Sequence, residues 1–214
     1  MKKIIHVPLI EAIEKMSGDD FNAALDASCQ PNAIDSINWP DAFPYAPACS
    51  FRIARSHTHL AVSFETEGLD IRASYLEDNG NSWEDSCVEI FLSPGGNEYY
   101  NVEITCIGSI LMACGSDREG RRVLPLSDVA RITRRSSLEH KKYDLVGGPY
   151  KWRVCALIPF DLLGLDGSAL PHSVEANFYK CGNLTAHKHF ASWNPIETEK
   201  PDFHRPEFFG TLEF

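Results

Sequence analysis

The sequence has no run of apolar residues approaching the ~18 that a membrane-spanning helix needs, so no membrane partner is expected. Its N-terminal MKKIIHVPLIEAIEK joins two lysines to a short apolar stretch. His6, Pro8 and Glu11 interrupt that stretch and no small-residue cleavage site follows, so it fails as a secretory signal. Positive charge is scarce, with 20 Lys and Arg against 30 Asp and Glu and a net charge of −10. Affinity for a phosphate backbone comes mostly from basic side chains, so a nucleic-acid partner is not expected. The one basic cluster, Arg118, Arg121, Arg122, Arg131, Arg134 and Arg135, reads as solvated surface. Seven cysteines, at 29, 49, 87, 106, 114, 155 and 181, include no C-x-x-C pair, which leaves a local zinc or redox motif without support. Their number is odd. Cys87, Cys106 and Cys155 sit in strand-like runs, where a reduced cysteine behaves as a small apolar residue. A reduced, cytoplasmic protein is the expectation. There is also no internal repeat and no low-complexity linker.

What is present is mostly β grammar. Helical patterning is confined to the first thirty or so residues, at Leu9 to Met16 and at Phe21 to Ala27, the latter opened by Asp19 or Asp20 as N-cap. Short alternating runs then follow one another: 49–55, 59–67, 69–77, a hairpin over 82–104, 108–114, a strand near 129–133, 150–160, 173–182 and 207–214. About ten strands, Gly/Pro/Asp-rich turns and little helix predict an all-β protein, a β-sandwich of jelly-roll type. One domain spans 1–214 in this reading, with residues 1–31 as an N-terminal extension packed on it.

The hairpin SWEDSCVEIFLSPGGNEYYNVEI, residues 82–104, carries the chemistry. Val88, Ile90 and Leu92, then Tyr100, Val102 and Ile104, supply one apolar face; Glu89, Asn101 and Glu103 lie on the other. Placing Ile90 across from Tyr100 and Val88 across from Val102 needs a loop over 93–97, and sets Glu89 beside Asn101. A one-residue slip would mix core and polar positions, so that slip is forbidden. Two tryptophans stand in polar surroundings, Trp83 before the hairpin and Trp193 in HFASWNPIETEKPDFHRPEFFG. Trp152, in an alternating run, reads as core or rim. An aromatic in a polar loop serves as a lid on the core or as a binding platform.

Taken in order, IDSINW, the W-x-D-x-x-V-E-I-F-L run from Trp83 to Leu92, YYNVEITCIGSI, YKWRVCALIPFDLLG, EANFYKCG, SWNP and PEFFGTLEF resemble family 9 carbohydrate-binding modules and their DOMON-like relatives over 32–214. The resemblance implies a β-sandwich that grips the end of a small saccharide between two tryptophans. Trp83 and Trp193 would form that clamp, with Glu89, Asn101 and Glu103 reading hydroxyls. Where the family often has an arginine reader, this chain has Tyr99 and Tyr100, and Lys180 is the candidate replacement cation. Family members often carry structural calcium, for which Glu77-Asp78 or Glu84-Asp85 offer oxygens without EF-hand-like spacing. Two rival readings accompany this one. A haem b- or metal-binding DOMON-like domain would use Met112 with His187 or His189, and a glycoside hydrolase would use Glu89 and Glu103 as its carboxylates. His204 and Arg205 are expected to brace the loop carrying Trp193.

Overall fold

The computed structural model describes residues 2–16 and 18–214. In chain order the strands are β1 (Ile4–His6), β2 (Asn32–Ala33), β3 (Ser36–Ile37), β4 (Ala48–Arg55), β5 (His59–Ala73), β6 (Cys87–Ser93), β7 (Tyr99–Thr105), β8 (Ile110–Gly115), β9 (Arg122–Val123), β10 (Thr133–Ser136), β11 (Tyr143–Pro159), β12 (Ser173–Gly182), β13 (His189–Ser192) and β14 (Gly210–Glu213). Helices are few: α1 (Gly18–Ser28), a single turn α2 (Leu126–Val129) and short 3-10 turns. One sheet runs β1-β14-β12-β6-β7-β8-β9, with β13 joining β12 to β3; the other runs β10-β11-β5-β4-β2.

The two sheets stack as a β-sandwich. Alternation along the strands sends Phe51, Val62, Phe64 and Val154 of one sheet against Val88, Ile90, Val102, Ile104 and Phe178 of the other. Phe51 stacks on Phe178 with ring centroids 3.8 Å apart, so the sheets touch directly through aromatics. On the far side of the five-stranded sheet, α1 buries Phe21 and Leu25 with Ala54, Ala61 and Leu157 in a smaller cluster.

Several boundaries differ from the sequence reading. The runs 59–67 and 69–77 are one strand to Ala73. Gly68 lets it continue, because a Cβ there would lie 2.9 Å from Pro47 and 3.0 Å from the Tyr45 hydroxyl. The helix of 18–28 starts at Gly18, so Asp19 and Asp20 belong to its first turn and not to its cap. Leu9 to Met16 forms only a 3-10 turn at Ile13–Lys15. Residues 126–129 are helical and the strand expected near 129–133 begins at Thr133.

The outward face of the first sheet is also covered. Phe91, Tyr99 and Tyr179 of β6, β7 and β12 pack with Trp39, Phe190, Ile196, Phe203 and Phe209 in a second apolar cluster. Much of that cover comes from the irregular chain between β13 and β14. It explains why β6 is buried at six consecutive positions although its sequence alternates.

Candidate functional site

The cover leaves a depression over the centre of β6, β7 and β12. Its floor is Glu89, Glu103 and Cys181; its walls are Trp83, Asn183 and Phe190 on one hand and Arg118, Arg121, Phe203 and His204 on the other. The volume of the hollow is about 160 Å³. Sites for drug-sized ligands run to roughly 300–1,000 Å³, so this one has the scale of a single small ring.

The strand register builds the floor. Glu89 and Glu103 are direct cross-strand partners, and Asn101 sits opposite Phe91. The expected pairing of Glu89 with Asn101 is therefore corrected by a two-residue shift. Because side chains alternate with a period of two, the shift keeps every residue on its face while changing its neighbours. Asn101 still joins the site: its Nδ2 donates to Glu103 Oε1 at 3.0 Å, and its Oδ1 accepts from the Arg121 guanidinium at 3.0 Å. Cys181 donates its thiol to Glu89 Oε1 at 2.9 Å.

Both carboxylates are 3% exposed. Burial pushes the Glu89 carboxyl well above the usual range, and Cys181 and Glu103 push it further. Burial raises Glu103 to about 7, against the opposing pull of Arg121 and Asn101. On the wall, burial lowers His204 to about 3, with Arg121 and Arg118 adding to it, so its ring is neutral. His204 Nδ1 lies 2.8 Å from the Tyr99 hydroxyl. The site thus holds hydrogen-bond donors and acceptors beside the half-buried Trp83 indole.

The sequence-derived residues separate. Trp83, half-buried in a 3-10 turn, lines the depression, and its carbonyl accepts from Asn183 N–H at 3.1 Å. Trp193 does not line it. It is 3% exposed and packs in the core between the sheets, edge-on to Phe51 and Phe178 with centroids 6.0 and 5.7 Å away. In this conformation the two tryptophans are not a facing pair; Phe190 and Phe203 are the other aromatics at the depression. Lys180 is likewise corrected. Neighbouring residues of a strand face opposite ways, so while Cys181 faces the depression, Lys180 enters the sandwich core. There its Nζ donates to the Cys181 carbonyl at 2.7 Å and to His189 Nε2 at 2.9 Å, and sits 5.7 Å from the centre of the Trp152 ring.

The cation at the site is Arg121, supplied with Arg118 by the loop before β9, from the cluster read as solvated surface. His204 forms wall as well as brace. Trp152 is core, 4% exposed. Met112 is buried in that core, His187 bonds Asp70, and His189 bonds Lys180, so the residues weighed for haem are engaged in different settings. The acidic loops are engaged too: Asp78 pairs with Arg134, and Asp85 with Arg72.

A family model for carbohydrate-binding family 9 matches residues 20–214. The chain belongs to that family. A crystal structure of a "putative carbohydrate-binding protein" from Bacteroides uniformis is 34% identical and superposes with a TM-score of 0.93, each chain covered completely. Family 9 modules from Caldicellulosiruptor kristjanssonii, in complex with glucose and with cellotriose, share the fold at 15% identity. Their TM-scores are 0.56 and 0.57, over 99% of this chain and 95% and 93% of theirs. No curated protein matches the sequence.

Proposed function

We propose that the depression binds one terminal sugar ring of a mono- or disaccharide without cleaving it. The observation that carries this is the buried carboxylate pair set beside the half-exposed Trp83 indole in a ring-sized hollow, in a chain of a carbohydrate-binding family. A pyranose presents C–H groups to an aromatic face and hydroxyls around its rim. Trp83 offers the face. Glu89 and Glu103 accept from hydroxyls or, when protonated, donate to them, while Arg121 and Asn183 donate to hydroxyl oxygens. Asn101 acts through Glu103 and Arg121, which it holds in place. The Caldicellulosiruptor modules bind glucose and cellotriose, so neutral hexoses and their β-linked dimers are the first ligands to try.

Calorimetric titration with a panel of mono- and disaccharides tests the reading, with tryptophan fluorescence recorded in parallel. Saturable one-to-one binding of one sugar class is expected, weakened about tenfold or more in Trp83→Ala. Failure of the whole panel to bind folded protein refutes it. Release of product from aryl glycosides, lost in Glu89→Gln, would replace binding by hydrolysis as the function.

A further inference from the structure

The absence of a C-x-x-C pair hides a closer meeting of cysteines. Cys87 on β6 and Cys181 on β12 are cross-strand partners, and both face outward with Glu89, two residues along from Cys87. One ligand atom from each of the three lies within 4.8 Å of the other two. We propose that Cys87, Cys181 and Glu89 bind a thiophilic divalent cation, with zinc the occupant that their chemistry fits.

Zinc takes sulfur at about 2.3 Å and carboxylate oxygen at about 2.0–2.2 Å in tetrahedral order. The edges of that tetrahedron are then roughly 3.8 Å between sulfurs and 3.5 Å between sulfur and oxygen, so side-chain adjustments on the order of 1 Å close the set. Two thiolates select against magnesium and calcium, which prefer oxygen. The three groups lie on two adjacent, hydrogen-bonded strands of a sheet, which holds them together before any ion arrives.

A second observation points to a missing partner. Glu103 stands across from Glu89, is 3% exposed, and its Oε2 has no hydrogen-bond partner among the described residues. A buried carboxylate oxygen without a donor costs free energy unless something reaches it. Water on the fourth position of the ion, at the floor of the depression, donates to it. The charge also balances: two thiolates and one carboxylate around a dication leave one negative charge. The ionised Glu103 adds a second, and the Arg121 guanidinium, 3.8 Å from Glu103, and the buried Lys180 ammonium on the other side of β12 compensate the two. Binding expels the two thiol protons to solvent.

This site shares Glu89 and Cys181 with the floor of the depression, but its test uses no sugar and so fails or succeeds apart from the sugar reading. Protein kept reduced with a phosphine and stripped with a chelator is titrated with Co²⁺, then with Zn²⁺. The expected result is a one-to-one thiolate-to-cobalt charge-transfer band of two-thiolate intensity, bleached by zinc, with protons released. Cys87→Ser and Cys181→Ser should lose the band and weaken zinc binding about 100-fold or more. Cys155→Ser, in a cluster on the other sheet, and Trp83→Ala should keep both. If the serine variants do not fold, the intensity and stoichiometry in wild type decide the matter. No charge-transfer band in folded wild type overturns the proposal, as does a band surviving in both folded serine variants. Finding Cys87 and Cys181 joined by a disulfide in the purified protein overturns it as well.

Discussion

Replacing Glu103 by glutamine should stabilise the metal-free protein, and only above pH 5. In the fold the Glu103 carboxyl titrates near 7, against 4.5 for an ordinary glutamate, chiefly because it is buried. A carboxyl with a raised folded value favours folding below its unfolded value, and that advantage is lost as pH rises through the folded one. The window is therefore about pH 4.5 to 7, with stability falling across it. A displacement of about 2.5 units corresponds to roughly 3 kcal/mol by pH 8, an upper bound because Glu89 titrates against it. Glutamine keeps an oxygen to accept from Asn101 and removes the charge. Glu103→Gln should thus be close to wild type at pH 5 and more stable at pH 8. For a chain of this size that is on the order of 6–12 °C in Tm. Urea unfolding at pH 5, 6, 7 and 8, with a chelator present, measures it. Parallel curves for the two proteins at all four values would refute the reasoning, since they would mean that Glu103 is no harder to ionise folded than unfolded.

Trp193→Ala should cost about 3–5 kcal/mol of stability, the price of a core tryptophan, whereas Trp83→Ala should cost much less while losing sugar; thermal melts beside binding isotherms separate the two. Gly210→Ala should destabilise by about 1–3 kcal/mol, seen as a lowered urea midpoint. Its new methyl would sit 2.5 Å from the Trp193 ring and 2.7 Å from the Lys3 carbonyl. Asp85→Ala should cost about 3 kcal/mol and weaken sugar binding. Asp85 is fully buried, pairs with Arg72, and accepts from the backbone N–H of Ser74 and Tyr75 at 2.8 and 2.9 Å, holding the turn that carries Trp83. A variant with wild-type melting and affinity would count against that role.

The strands and the face of each residue were legible in the sequence because alternation is a local property. Glu89, Asn101 and Glu103 were placed on one face correctly for that reason. Which residue stands opposite which was not, since sliding a hairpin by two leaves the alternation untouched; only the turn geometry and the packing beyond it choose. Lys180 was legible in principle. Its parity with Phe178 sends it to the core, against the resemblance, which makes it the candidate cation of the site. The core receives it because a carbonyl and a neutral His189 accept from it. Arg121 and His204 were out of reach of periodicity, being brought in by irregular chain whose path depends on what it covers.

Trp193 is the most instructive of these cases. Ser192 and Asn194 beside it read as a polar loop, and an indole in a polar loop reads as a platform. Both neighbours are in fact buried, at 0% and 5% exposure. Asn194 exchanges hydrogen bonds with Asn177 at 2.9 and 3.0 Å and donates to the Phe208 carbonyl at 2.7 Å, while Ser192 donates to the Asn194 carbonyl at 2.8 Å. Buried polar groups are tolerated when each finds a partner, and here the partners are the strand and loop that the turn must join. The polar residues around Trp193 thus fasten the chain as it leaves β13, and the indole fills the core beneath them. Around Trp83 the same kinds of residue leave one side of the ring toward the hollow. The distinction lies in where their hydrogen bonds go, and composition carries no record of that.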